Sequence, residues 1–331
     1  MSPGPNPFLP ASAQGLKITR LLLAALILCL APACHVADTR ESLTQQSDQA
    51  IALVEHGKYA EGEKALRAVL ARRTQAFGPE DPDTLKSRNK LANTLRAEGK
   101  YAEAEQEHRA VLAIRERVLG AKHPDTLKSR INLAVVLNAQ GKHLKAEGEL
   151  RAVLAIQERV LGAEHPETLA SRSNLAIALT GEGKHEYAER EGRAVLAIRE
   201  RVQGAEHPDT LQTRHNLANA LEDQGKHEEA EREDRAVLAG RERLLGAEHP
   251  AVLGACFNLA LVLRTQGKLP EAYTFSVRAE EGRQRVLGIE HPDFKDSVRL
   301  RKRSRRLWRR RRGSDRLSGP VGNAVGWGAG C

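Results

Sequence analysis

Apolar residues along the middle of this chain fall on helical faces, and the faces come in pairs. Between Pro82 and His123, the residues Leu85, Leu91, Ala92 and Leu95 share one face of a first helix. Glu98-Gly99-Lys100 closes that helix with a glycine able to take the left-handed conformation. A second periodic run begins near Tyr101, is expected to turn Ala104, Val111, Leu112, Ile114 and Val118 inward, and ends at Gly120. Pro82 lies between Asp81 and Asp83 and marks the start of the first helix. Its missing N–H would be unpaired in a first turn anyway, and the following acid complements the helix dipole. Two antiparallel helices are predicted, and neither can bury its apolar face alone, so successive pairs must stack.

The pattern returns every 42 residues, with prolines at Pro82, Pro124, Pro166, Pro208, Pro250 and Pro292. Leu91, Leu133, Leu175, Leu217 and Leu259 keep the same register, as do Gly57, Gly99, Gly141, Gly183, Gly225 and Gly267. A fixed period of this length means a stacked array, which places function on a surface and not in a buried pocket. Six helix pairs are predicted within residues 42–291. The first pair, Ser42 to Gly78, has a divergent first helix. A basic helix over 292–312 is expected to cap the array, with a linker at 34–41 and a disordered glycine-rich tail at 313–331.

This layout resembles the tetratricopeptide repeat, and more closely its 42-residue variant in kinesin light chains and many bacterial proteins. The blocks that carry the likeness are HPDTL, NLAxxL, GKYxEAE and AVLAIRERVLG, between Ser42 and Asp293. The resemblance implies an all-α, right-handed superhelical α-solenoid with a capping helix. It also implies a concave groove, lined by the first helices, in which asparagines hold the main chain of a peptide. The matching positions here are Asn132, Asn174, Asn216 and Asn258, with Lys90 and Asp48 at the corresponding places in the first two units. A carboxamide both donates and accepts, so it can pair with a main chain of any sequence; the alternative is that these side chains bond neighbouring helices. Selectivity is expected from the adjoining row Asn89, Ile131, Ser173, His215 and Phe257, and from Asn93, Val135, Ile177, Asn219 and Leu261 one turn on. These rows predict a polar stretch near Asn89 and Asn93 and an apolar pocket near Phe257 and Leu261.

Other recurrent residues have simpler readings. Arg88, Arg130, Arg172 and Arg214 could favour an acidic ligand, but their stems are expected to pack while the guanidinium groups reach acids on adjacent helices. His123, His165, His207, His249 and His291 lie one unit apart, too far to share a metal at bonding distances of roughly 2 Å, and are assigned to the loop before each helix. His143, His185 and His227 stand where Tyr59 and Tyr101 stand in other units and are expected to be partly buried. The chain carries no GxSxG, P-loop, HExxH or glycine-rich nucleotide turn, so no enzyme, metal or cofactor is expected.

Composition adds two points. Aromatics are only 3% of the 331 residues, so the core must be built from Leu, Ala and Val. The net charge of +9 resides in Arg299 to Arg312, which holds 10 Lys and Arg; without it, 42 basic residues face 43 acidic ones. An electrostatic partner is therefore a matter for that segment alone. Arg301, Lys302, Arg305, Arg306, Arg309 and Arg310, with Trp308 to stack or insert, make an adaptor for nucleic acid or an anionic membrane the alternative to a scaffold binding a protein or peptide.

At the amino end, Lys17 and Arg20 precede the apolar run Leu21 to Leu30 and the small-residue stretch Ala31-Pro32-Ala33. That order predicts a secretory signal peptide over 1–33. Cys34 follows as in a bacterial lipobox, which would make a lipoprotein tethered to the membrane, although Pro32 departs from that pattern. The expected location is exported or cell-envelope, with a retained leader and a cytoplasmic protein as the alternative.

Overall fold

The computed structural model describes residues 40–289 and 291–317, and every regular element among them is an α-helix. The first unit is α1 (residues 40–55) with α2 (Tyr59–Phe77). Then follow α3 (Pro82–Ala97) with α4 (Tyr101–Leu119), α5 (Pro124–Ala139) with α6 (His143–Val160), and α7 (Pro166–Gly181) with α8 (His185–Val202). The last two pairs are α9 (Pro208–Asp223) with α10 (His227–Leu245), and α11 (Pro250–Thr265) with α12 (Leu269–Leu287); α13 (Pro292–Leu317) closes the array. The leader, Cys34 and residues 318–331 lie outside the described residues. Two boundaries differ from expectation. Residues 40–41, read as linker, are already helical, because Arg40 bonds Asp81 and Asp83 of the next unit and lies over the Phe77 ring. The terminal helix continues through 313–317, where the glycine-rich composition suggested disorder.

The histidine of each His-Pro motif is the N-cap of the helix it precedes. Nδ1 of His123, His165, His207, His249 and His291 accepts the backbone N–H two residues on, at 3.1–3.2 Å. Asp81 does the same work for α3 through Oδ1, accepting from Asp83 and Thr84. Each thereby satisfies a donor that a helix start leaves unpaired. At the other turns the backbone takes positive φ, 81° at Gly99 and 86° at Gly120, which glycine adopts without a Cβ clash.

Within each unit the predicted face is buried: Leu85, Leu91, Ala92 and Leu95 all have at most 5% exposure. One expectation fails. Val118 is 54% exposed, and Val160, Val202, Leu244 and Val286 at the same register are exposed too. They sit on the last turn of the second helix, where the chain turns off into the loop.

Between units the joint is polar. Arg115 on α4 is buried, and its Nη1 donates to the Asp125 carbonyl at 3.0 Å and to Ser129 Oγ at 2.9 Å, both on α5. Arg73, Arg199 and Arg283 repeat this pair of bonds to α3, α9 and α13. Burial lowers the pKa of Arg199 and Arg283 from the usual guanidinium value. The joint between α6 and α7 lacks this bond: Gln157 occupies the arginine position, and its Oε1 and Ser171 Oγ are buried without a protein partner. Gln157→Arg should regain two charge-assisted bonds, to the Glu167 carbonyl and Ser171 Oγ, and raise the unfolding free energy by about 1.5 kcal/mol. Urea denaturation would register it as a higher midpoint.

The surface charges follow the same beat. Lys100, Lys142, Lys184, Lys226 and Lys268 each reach a glutamate on the preceding unit's second helix, namely Glu63, Glu105, Glu147, Glu189 and Glu231. Lys142 holds Glu105 down at about 2, and Lys184 does likewise for Glu147. The array also meets itself. The loop before α13 lies against the turn after α1, so closely that a Cβ on Gly57 would stand 2.7 Å from His291 Cδ2. Burial raises the Tyr59 phenol, and the Asp293 carboxylate across this contact raises it further.

Candidate functional site

The first helices approach one another along the array: α5 touches α7 and α7 touches α9. The side on which successive units crowd is the inside of a curve, so the first helices line it. On each, residues at spacing i, i+4, i+7 and i+11 share one outward stripe. On α5 the stripe is Lys128, Asn132, Val135 and Ala139; on α7 it is Ala170, Asn174, Ile177 and Gly181. The asparagine row thus lies along the inner surface.

Its hydrogen bonding separates the two readings of the asparagines. Among the described residues the side chains of Asn132, Asn174 and Asn258 have no hydrogen-bond partner, although all three are half-buried. Asn216 accepts only from Gln212 one turn before it. None of the four ties one helix to another. The row ends differently at the first two units, where Lys90 Nζ lies 2.8 Å from Asp48 Oδ1 and donates to Ser47. These two residues neutralise each other. At the seventh register position stands Leu300, which is buried.

The row one residue earlier is a different surface. His215 Nδ1 sits 3.6 Å from Asp234 Oδ1 on the second helix of its own unit, and Nε2 lies 3.4 Å from Asn219 Nδ2. Asn89 Oδ1 lies 3.3 Å from His108 Nδ1, Ile131 packs on the cluster that contains Leu150, and Ser173 is buried. Phe257 packs into the last core cluster with the Arg283 guanidinium 4.9 Å from its ring centroid. His215 and Phe257, expected beside the ladder, therefore face inward. A step of one residue rotates a side chain by 100°, which carries this row off the groove and against the second helix. Asn93 and Asn219 do remain exposed on the groove stripe.

The arginine row is structural. Arg88 pairs with Glu107, Arg130 with Glu116 and Glu149, Arg172 with Glu191, and Arg214 with Glu200 and Glu233. Their charges are met within the array. His143 and His227 are half-buried and bond Asn138 and Glu222. No group of three or more potential metal ligands occurs among the described residues.

The basic segment is in part a lid for the last unit. Trp308 packs on Tyr273, with ring centroids 5.5 Å apart, and Arg301 meets Glu280 at 2.6 Å. Lys302, Arg305, Arg306 and Arg309 are exposed. Arg310 lies on α13.

Two family models described as tetratricopeptide repeat match the chain, one over residues 43–117, 83–151 and 130–201, the other over 210–251 and 252–293. Among solved structures, a kinesin light chain of Podosopora anserina with nearly identical TPR-like repeats is 32% identical, with a TM-score of 0.52 over 61% of this chain and 96% of that one. BtubC (BKLC) from P. vanneervenii is 21% identical, with a TM-score of 0.51 over 78% and 94%. A Rap protein solved in complex with Competence and Sporulation Factor shares the fold at 12% identity, with a TM-score of 0.54 over 80% and 74%. No curated relative matches the chain in sequence.

Proposed function

Because the chain belongs to the tetratricopeptide repeat family, we propose that it is a non-enzymatic scaffold whose inner face holds an extended peptide or protein segment. The observation that carries this reading is the set of unpartnered carboxamides at Asn132, Asn174 and Asn258, one per unit along the inner stripe, beside charged rows that are paired within the array. Every arginine of the parallel row has found an acid, and the inter-unit lysines have found theirs. Half-buried amides left without a partner are the groups that gain most when a main chain arrives, because a peptide strand offers each a donor and an acceptor.

The test begins with twelve-residue peptides selected from a displayed random library on the full chain. Against such a peptide, Asn132→Ala, Asn174→Ala and Asn216→Ala together should remove about 3 kcal/mol of binding, roughly a hundredfold in Kd. Thermal unfolding should be unchanged, since none of the three side chains ties one helix to another. Undiminished affinity in the triple variant would dispose of the groove reading.

A further inference from the structure

The carboxamides locate a ligand's main chain, and the surface between two of them has a particular shape. Where α5 meets α7, Ala134, Val135, Asn138, Leu150, Asn174 and Ile177 line a cavity of about 60 Å³. Ala134 and Leu150 are buried beneath it, and Ile177 is 38% exposed at its rim. Asn138 Oδ1 is engaged by His143, so the polar groups left to meet a ligand are the Asn174 carboxamide and the Asn138 N–H donors. Along the row Asn93, Val135, Ile177, Asn219 and Leu261, this is the one joint flanked on both sides by branched aliphatic residues. The neighbouring stripe positions Ala139 and Ala170 are exposed and small, which lets a backbone approach closely.

A separate observation falls on the same joint. It is the one at which the inter-unit arginine is replaced by Gln157, leaving Gln157 Oε1 and Ser171 Oγ buried and unpaired. This joint therefore lacks the guanidinium that spans both units elsewhere.

We propose that this cavity is the selectivity pocket of the groove and takes a small aliphatic side chain, alanine or valine, of an extended peptide held by Asn132 and Asn174. The proposal rests on the groove reading above. The volume is less than half of the roughly 150 Å³ of an apolar cavity that admits benzene, room for a small aliphatic group and not for a ring. A charged side chain would be desolvated there with no counter-ion among the lining residues.

The library-selected peptide is used with the full chain, and each of its positions is replaced in turn by Ala, Val, Phe and Lys. One position should accept Ala or Val and lose at least about tenfold in affinity with Phe or Lys, the discrimination expected of a hydrophobic pocket. Val135→Ala with Ile177→Ala enlarges the pocket and should shift that one position towards Leu or Phe. Ile177→Phe fills it and should erase the preference, so the result does not hang on one variant's folding. If binding needs the asparagines yet no position shows this preference, or the preference ignores both changes, the pocket is refuted and the groove stands. Binding that survives loss of the asparagines refutes the groove and the pocket with it.

Discussion

Arg115→Ala should lower the unfolding free energy by about 3 kcal/mol, from two charge-assisted hydrogen bonds lost across a buried joint. The guanidinium is 7% exposed and binds a carbonyl and a hydroxyl of the next unit, so its removal also unties the neighbouring helix pair. Arg117, two residues on in the same motif, points to solvent and pairs with Glu80 on the surface. Its replacement by alanine should cost less than about 0.5 kcal/mol, as exposed pairs do. Urea denaturation of the two variants side by side separates a joint from a decoration. Equal shifts would mean that the buried contact contributes nothing special. Because a repeat array can lose one end before the other, the loss should appear first in the units flanking α4 and α5, where hydrogen exchange can read it.

A comparably large effect is expected from acid. His108 is fully buried at a position that Leu66 and Leu150 fill in neighbouring units, and its Nε2 has no partner. Burial, and secondarily Arg96, lowers its pKa from the ordinary 6.5 to about 4. The folded state therefore refuses a proton that the unfolded chain accepts below pH 6.5. Stability is unaffected above that pH and falls as pH drops from 6.5 to about 4, by about 3 kcal/mol in all. Glu105 and Glu147 act in a lower window. Their depressed values give stability that is present above 4.5 and is lost as pH falls towards about 2. His108→Leu should remove the first loss and keep the second. The variant's advantage should thus grow between pH 7 and pH 4.5, and an advantage independent of pH would contradict the buried neutral imidazole.

The helices, their ends and the leucine rows were legible because each rests on local chemistry repeated in register: proline at a start, glycine at a stop, apolar residues at helical spacing. The inter-unit arginines were not. An arginine on an amphipathic helix reads as solvent-facing, and only its recurrence with a serine or threonine 14 residues later, as at Arg73 and Ser87 or Arg199 and Thr213, could have marked it as buried. The asparagine row lies on the inner stripe, whereas the adjoining row turns towards the second helix. Periodicity gives the angle between rows and leaves open which one meets the second helix. A signal was present in the pairs 19 residues apart, Asn89 with His108 and His215 with Asp234, which meet in the structure, and in the matching apolar pair Ile131 and Leu150 of one core cluster. The contact of Gly57 with His291 had no local signal, since curvature accumulates over the whole array.

The most direct measurement on the central claim is the NMR spectrum of the asparagine side-chain amides in a chain labelled with ¹⁵N at asparagine, recorded with and without the selected peptide. The amide resonances of Asn132, Asn174 and Asn258 should move and gain protection from solvent exchange, while that of Asn89, which faces His108 on the second helix, should stay where it is. A peptide that binds tightly and leaves the three ladder amides unmoved would contradict the assignment of the inner face as the binding site.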